Sequence, residues 1–179
     1  MGRDPRVQKR KEREAELRVV LGDAPSTQLP PPGDDRPLAI YYLDGVLADP
    51  THRMRHLGKT KRWDLFFAAM GGDEVLVSGL THLRTFLENC EVVLCTGRPE
   101  STRRLTEAWL HFHQIPYHQL WMRASADRRP ARIVKPELIE AHHNRRELSV
   151  VVEDDRQVVD ALRAGGLIVV QARWWHKSR

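Results

Sequence analysis

The stretch LAIYYLDGVLAD, residues 38–49, decides how the chain is read. An apolar run climbs without a break from Leu38 to Leu43, and Asp44 and Gly45 then turn the chain. Near-continuous apolar runs closed by turn formers suit strands buried on both faces of a sheet. Two residues before Asp44 stands Tyr42.

Similar short runs follow at residues 91–95 (EVVLC), 119–122 (QLWM), 148–153 (LSVVVE) and 167–171 (LIVVQ). Helical periodicity fills the gaps, over 79–88, 100–114, 136–145 and 156–164, the last closed by Gly165-Gly166. Strands alternating with helices predict a doubly wound α/β domain with a parallel sheet of about five strands. Residues 50–77 break the alternation and read as a small cap insertion after the first strand. The spacing of Trp63, Phe66, Phe67 and Met70 predicts a short amphipathic helix there. The insertion would sit over the C-terminal edge of the sheet, where α/β proteins place their sites.

Ahead of this domain, residues 1–20 are charged and 21–37 are rich in Pro and turn formers. The expected division is an arm and linker over 1–37 and a globular domain over 38–179. The arm is either a basic contact or a solvated tail. Lys plus Arg number 29 against 24 Asp plus Glu in 179 residues, a formal net charge of +5. That balance favours polyanionic partners but equally describes a solvated Arg-rich surface. Cys90 and Cys95 lack any metal or redox spacing and read as reduced, buried apolar residues. No apolar run approaches the roughly 18 residues of a membrane span, and the charged start lacks a signal-like apolar region. A cytoplasmic protein without membrane association is expected.

Four polar clusters fall at or near strand ends, so the predicted fold would gather them in one crevice: Asp44-Gly45, Thr96-Gly97-Arg98, Lys135, and Glu153-Asp154-Asp155-Arg156. Together they suit a phosphate site. Thr96, the N–H groups near Gly97, and Lys135 would hold the anion. Asp154 or Asp155 would supply hard oxygens to Mg²⁺, and Asp44 is placed for general acid work. Singly, each cluster has a plainer reading: an Asp-Gly turn, a loop, a solvated lysine, and an N-cap for the helix from Arg156. Their order and spacing carry the signal.

From Leu38 to Gln171 the chain resembles the haloacid-dehalogenase-like superfamily, whose DxDG, Ser/Thr, Lys and acidic-pair motifs here read Tyr42-Leu43-Asp44-Gly45, Thr96, Lys135 and Asp154-Asp155. The stretches DGVLADPTHR, CTGRPESTRRLTEAWL, VKPEL and EDDRQVVDALRAGG are similar to the phosphatase domain of polynucleotide kinases, especially phage-type ones. The resemblance implies an aspartyl nucleophile at position 42, Asp44 as acid and then base, and Mg²⁺ held by position 42, the backbone carbonyl of Asp44 and an acid of the last motif, Asp154 or Asp155. Tyr42 removes both the attacking carboxylate and a charged metal ligand, so Mg²⁺ binding would be weakened. A phenol titrates near 10 and reaches further than a carboxylate, so family-type hydrolysis is expected to be weak or absent. No sequence neighbour restores the carboxylate, because Asp34 and Asp35 lie in the linker.

The resemblance also implies contact with a phosphorylated nucleic-acid end. Arg53 in the insertion, Arg98 after Thr96 and Arg123 before Lys135 would line a basic rim, with Trp63 or Trp121 available for stacking. The competing expectation places at least two of Trp63, Phe66 and Phe67 in a small core of the insertion, and Trp121 within its strand. Two functions follow. One is a polynucleotide 3′-phosphatase-like protein with impaired hydrolysis. The other is a non-catalytic nucleic-acid- or protein-binding module on the same scaffold. Trp174-Trp175 would dock on the body or on another subunit.

Overall fold

The computed structural model describes residues 27–33, 35–143 and 145–174. The charged arm before residue 27, and Trp175, lie outside the described residues. In chain order the elements are β1 (Leu38–Tyr42), β2 (Ala48–Asp49), α1 (Trp63–Ala68), β3 (Glu74–Val75), α2 (Val77–Arg84) and β4 (Glu91–Pro99). Then come α3 (Arg103–Phe112), β5 (Gln119–Arg123), α4 (Ala131–His142), β6 (Leu148–Glu153), α5 (Arg156–Ala164) and β7 (Val169–Gln171). Short 3₁₀ turns occupy Thr51–Leu57, Met70–Gly72 and Glu100–Thr102.

The main sheet has five parallel strands in the order β5-β4-β1-β6-β7, with β1 at its centre. Its helices cover both faces, the doubly wound arrangement that the alternation predicts. Every residue of β1 is buried, which is why the run carries no polar alternation. The period of two still shows in direction. The Tyr41 hydroxyl meets His82 of α2 at 2.7 Å, while Tyr42, next along, reaches the Lys135 carbonyl of α4 on the other face. Cys90 and Cys95 are free and buried.

The insertion holds a two-stranded antiparallel ribbon, β2 with β3, and the helix α1 between them. It is tied to the body by the Trp109 indole of α3, which donates to the Asp73 carbonyl at 2.9 Å. Phe66 is buried and meets Trp63 and Phe67 edge-on, whereas Trp63 is 43% exposed.

One expectation changes. The helix carrying Lys135 starts at Ala131, not Pro136, so Lys135 lies inside it rather than ahead of it. Pro130 is the true start: its carbonyl accepts from the N–H groups of Ile133 and Val134. The linker, in turn, meets the body at Gln28, which bridges to Tyr117 and donates its side-chain amide to the His118 carbonyl. At the other end, the Trp174 indole donates to the Val46 carbonyl at 2.8 Å, beside His82. No described helix is long and apolar enough to cross a membrane.

Candidate functional site

The C-terminal ends of β1 and β4 open into a cavity of about 620 Å³. Tyr42, Asp44, Thr96, Gly97, Arg123 and Lys135 line it, and Trp63, Phe66 and Phe67 of α1 form an aromatic wall. Two glycines show how closely the chain segments converge. Gly45 has φ of +81°, and a Cβ there would lie 2.2 Å from the Asp154 carboxyl carbon. Only glycine fits that turn, and the absent side chain leaves room for Asp154. At Gly97 a Cβ would stand 3.6 Å from Arg123 Nη2 and 3.9 Å from Lys135 Cε, so both cations approach the backbone after Thr96.

One side of the cavity is a buried ion network. Asp44 Oδ1 accepts from Arg53 Nη2 at 2.6 Å, and from Arg98 Nη2 and Nε at 2.5 and 3.1 Å. Behind it, Asp73 accepts from Arg53 Nε and Nη2 and from Arg98 Nη2 at 2.7–2.9 Å, and His52 Nε2 lies 2.9 Å away. Arg53, Arg98 and Asp73 are completely buried. Arg53 also lies over the Phe66 ring, its guanidinium carbon 4.1 Å from the centroid. Burial alone would raise the Asp44 pKa, but the two guanidinium groups outweigh it and hold the carboxyl well below its ordinary range. Asp44 is therefore ionised at neutral pH. As it stands it has no proton to give. Arg53 Nη1 and Arg98 Nη1 are buried without a hydrogen-bond partner, donors that an anion or water would satisfy.

The other side is built under α4. Lys135 Nζ pairs with Glu153 Oε2 at 2.5 Å and stands 4.3 Å above the Tyr42 ring centroid. Glu153 Oε1 accepts from the backbone N–H groups of Asp154 and Asp155 at 2.9 and 3.0 Å. The Tyr42 hydroxyl donates to the Lys135 carbonyl at 3.1 Å. Burial first, then the neighbouring Cys95 and Glu153, push the phenol well above its ordinary value. Burial likewise pushes the Cys95 thiol up to about 12. For Lys135, burial would lower the pKa, but Glu153 raises it, so the ammonium stays charged.

The structure thus brings Tyr42, Asp44, Thr96, Gly97, Arg123 and Lys135 to one cavity, with Asp154 against Gly45. Thr96 is buried, and its hydroxyl oxygen accepts from the Arg98 N–H at 3.1 Å. Three expectations are corrected. Arg53 and Arg98 are not on an open rim; they are buried clamps on Asp44, and only Arg123 of the three stands half-buried at the cavity. Asp155 caps α5, accepting from the Gln157 N–H at 2.8 Å. No acid is expected beside position 42, yet Glu153 stands on the adjacent strand, paired with Lys135. Asp73 escaped the sequence reading altogether, being one of three acids in the insertion, with Asp64 and Glu74, and nothing in its neighbours sets it apart.

The Mg²⁺ implied by the resemblance needs hard oxygen donors. Asp154 lies against Gly45, beside the turn that carries Asp44, whereas Tyr42 offers a phenol turned to a carbonyl, Glu153 is paired with Lys135, and Asp155 caps a helix. Among the described residues no group of three or more His, Cys, Asp or Glu could hold a metal. Asp154 and the Asp44 carbonyl would hold such an ion without the second carboxylate that the resemblance implies at position 42.

Comparison with known proteins agrees with this geometry. Residues 37–174 match the family described as the polynucleotide kinase PNKP phosphatase domain. No curated protein matches the chain significantly. Among solved structures, a chain of a Pnkp1/Rnl/Hen1 complex superposes with a TM-score of 0.64 at 25% identity, over 83% of this chain and 50% of that one. This chain therefore spans about half the length of that relative. A second structure, described as the Pnkp1/Rnl/Hen1 RNA repair complex, gives a TM-score of 0.61 at 24% identity, over 83% of this chain and 46% of that one. A haloacid-dehalogenase-superfamily hydrolase of subfamily IA from Geobacter sulfurreducens shares the fold at 16% identity, with a TM-score of 0.53 over 80% of this chain and 90% of that one.

Proposed function

The chain belongs to the polynucleotide kinase PNKP phosphatase-domain family, and from that premise we propose that it takes phosphorylated nucleic-acid ends into the cavity beside Tyr42, with hydrolysis impaired. One observation carries the proposal. The same cavity joins anion donors, Thr96, Gly97, Arg123 and Lys135, to the exposed indole of Trp63, while position 42 offers no carboxylate. Phosphate oxygens would meet the donors and a base would stack on the aromatic wall. Tyr42 does not replace an aspartyl nucleophile. Its phenol is fully buried, stays protonated, and directs its proton to the Lys135 carbonyl. Asp44, ionised between Arg53 and Arg98, is not ready to protonate a leaving group.

A Pnkp1/Rnl/Hen1 relative is described as an RNA repair complex, which makes RNA the first substrate to try beside DNA. The rival reading, a non-catalytic module that binds nucleic acid or a protein, is favoured by the engaged hydroxyl of Tyr42, and in its nucleic-acid form it differs only in turnover. Short RNA and DNA strands ending in a 3′-phosphate or a 3′-hydroxyl separate the outcomes, at two salt concentrations and with Mg²⁺ added. Expected are tighter binding of the 3′-phosphate forms, loss of affinity with salt, and phosphate release near the blank. Binding indifferent to the 3′-phosphate would sink the proposal. Rapid release would overturn the impairment and leave the substrate assignment standing.

A further inference from the structure

Glu153 poses a question that the cavity alone does not answer. It ends the apolar run of β6 and is completely buried. A buried carboxylate is costly unless a cation and hydrogen-bond donors face it. Here Lys135 and the N–H groups of Asp154 and Asp155 all converge on it, at 2.5, 2.9 and 3.0 Å. Lys135 needs an anion just as much. The β1–β6 register pairs Tyr41 with Val152, so Tyr42 and Glu153 are the next positions along, on adjacent strands beneath the same lysine. On the far side of Tyr42 the register places Cys95. Tyr42 and Cys95 are both neutral, and Glu153 is the acid in contact with the ammonium.

We infer that Tyr42 and Glu153 form a charge exchange, in which the carboxylate that neutralises Lys135 comes from β6 because β1 presents a phenol, and that this internal carboxylate competes with an incoming phosphate for the lysine ammonium. The competition rests on the phosphate reading of the cavity; the exchange itself does not. It follows that Tyr42→Asp alone does not reopen the site. It sets two carboxylates on one ammonium, and like charges so close cannot both ionise freely. The lysine is released only when Glu153 is neutralised as well.

The test uses the full chain as wild type, Tyr42→Asp, Glu153→Gln and the double variant. Urea midpoints give the folding coupling, and inorganic phosphate, titrated by ³¹P NMR, probes the lysine. Each single change should lower stability, and the double should recover most of it, with a coupling of about tenfold or more in the folding constant. Glu153→Gln should bind inorganic phosphate about tenfold more tightly than wild type, and adding Lys135→Met should remove that gain. Additive single effects would overturn the exchange. Coupling together with phosphate affinity unchanged or weakened in Glu153→Gln would overturn the competition. Coupling with no phosphate binding in any variant would keep the exchange and refute the phosphate reading. Should Glu153→Gln fail to fold, Lys135→Met/Glu153→Gln serves instead. The double should be more stable than Lys135→Met alone, which strands a buried carboxylate, and the reverse order overturns the proposal.

Discussion

Two buried ion clusters flank the cavity, and they solve the same problem differently. On the Asp44 side, two acids and two arginines interlock through several hydrogen bonds drawn from the loop after β1, the insertion and β4. On the Lys135 side, one lysine meets one glutamate over the ring of Tyr42. The first cluster keeps the acid that the motif calls for and imports cations around it. In the second, position 42 has a neutral side chain and the adjacent strand supplies the acid. Burial enforces charge balance in both, but it does not dictate which chain segment provides each charge.

The sharpest way to break this contrast is to remove Asp73. It holds Arg53 and Arg98 through three contacts and has no exposure to water. Asp73→Ala would strand two buried guanidinium groups on the half-buried Asp44, with an expected loss of about 3–5 kcal/mol in urea unfolding. A loss below about 1 kcal/mol would mean that Asp44 alone balances the pair, and that the cluster is no more interlocked than Lys135 with Glu153.

Next in size is the response to pH, where the clusters should fail at opposite ends. Burial would raise the Asp44 pKa, but Arg53 and Arg98 depress it below the unfolded value. The folded state then binds fewer protons, so this stability is present above about pH 4 and is lost as pH falls below it. Burial would lower the Lys135 pKa, but Glu153 raises it above the unfolded value. That contribution is complete below about pH 10 and disappears as pH climbs further. Thermal midpoints against pH should show Asp44→Asn flattening the acid limb and Lys135→Met flattening the alkaline one. An acid limb untouched by Asp44→Asn would place the acid sensitivity elsewhere.

Much of this site can be read from residues alone, and for one reason. In a parallel sheet every strand ends at the same edge, so clusters far apart in the chain must meet there. That logic places Asp44, Thr96 and Asp154 correctly with no knowledge of side-chain direction. It fails where direction matters. Arg53 and Arg98 read as surface residues because arginine is seldom fully buried, and nothing local reveals that Asp73 waits behind them. Three consecutive acids, Glu153 to Asp155, do not declare which turns inward, since Val151 and Val152 are both buried and leave no alternation to extend. Pro136 misled for a related reason. Proline favours a helix's first turn, but Pro130 precedes it and holds the true start.

The smallest change tests whether Tyr42 is reagent or filler. Tyr42→Phe deletes one hydroxyl and its hydrogen bond to the Lys135 carbonyl, leaving a ring to sit beneath the ammonium. Losing that bond should cost about 0.5–1.5 kcal/mol in urea unfolding, while the cation–π contact persists. Phosphate release from a 3′-phosphorylated strand should stay at the wild-type level, however low that is. A phenolic nucleophile predicts the opposite, with any release abolished along with the oxygen that attacks. If Tyr42→Phe silenced a measurable wild-type activity, the Lys135 cluster would be a working centre. Its glutamate would then be read as tuning a phenol instead of neutralising a lysine.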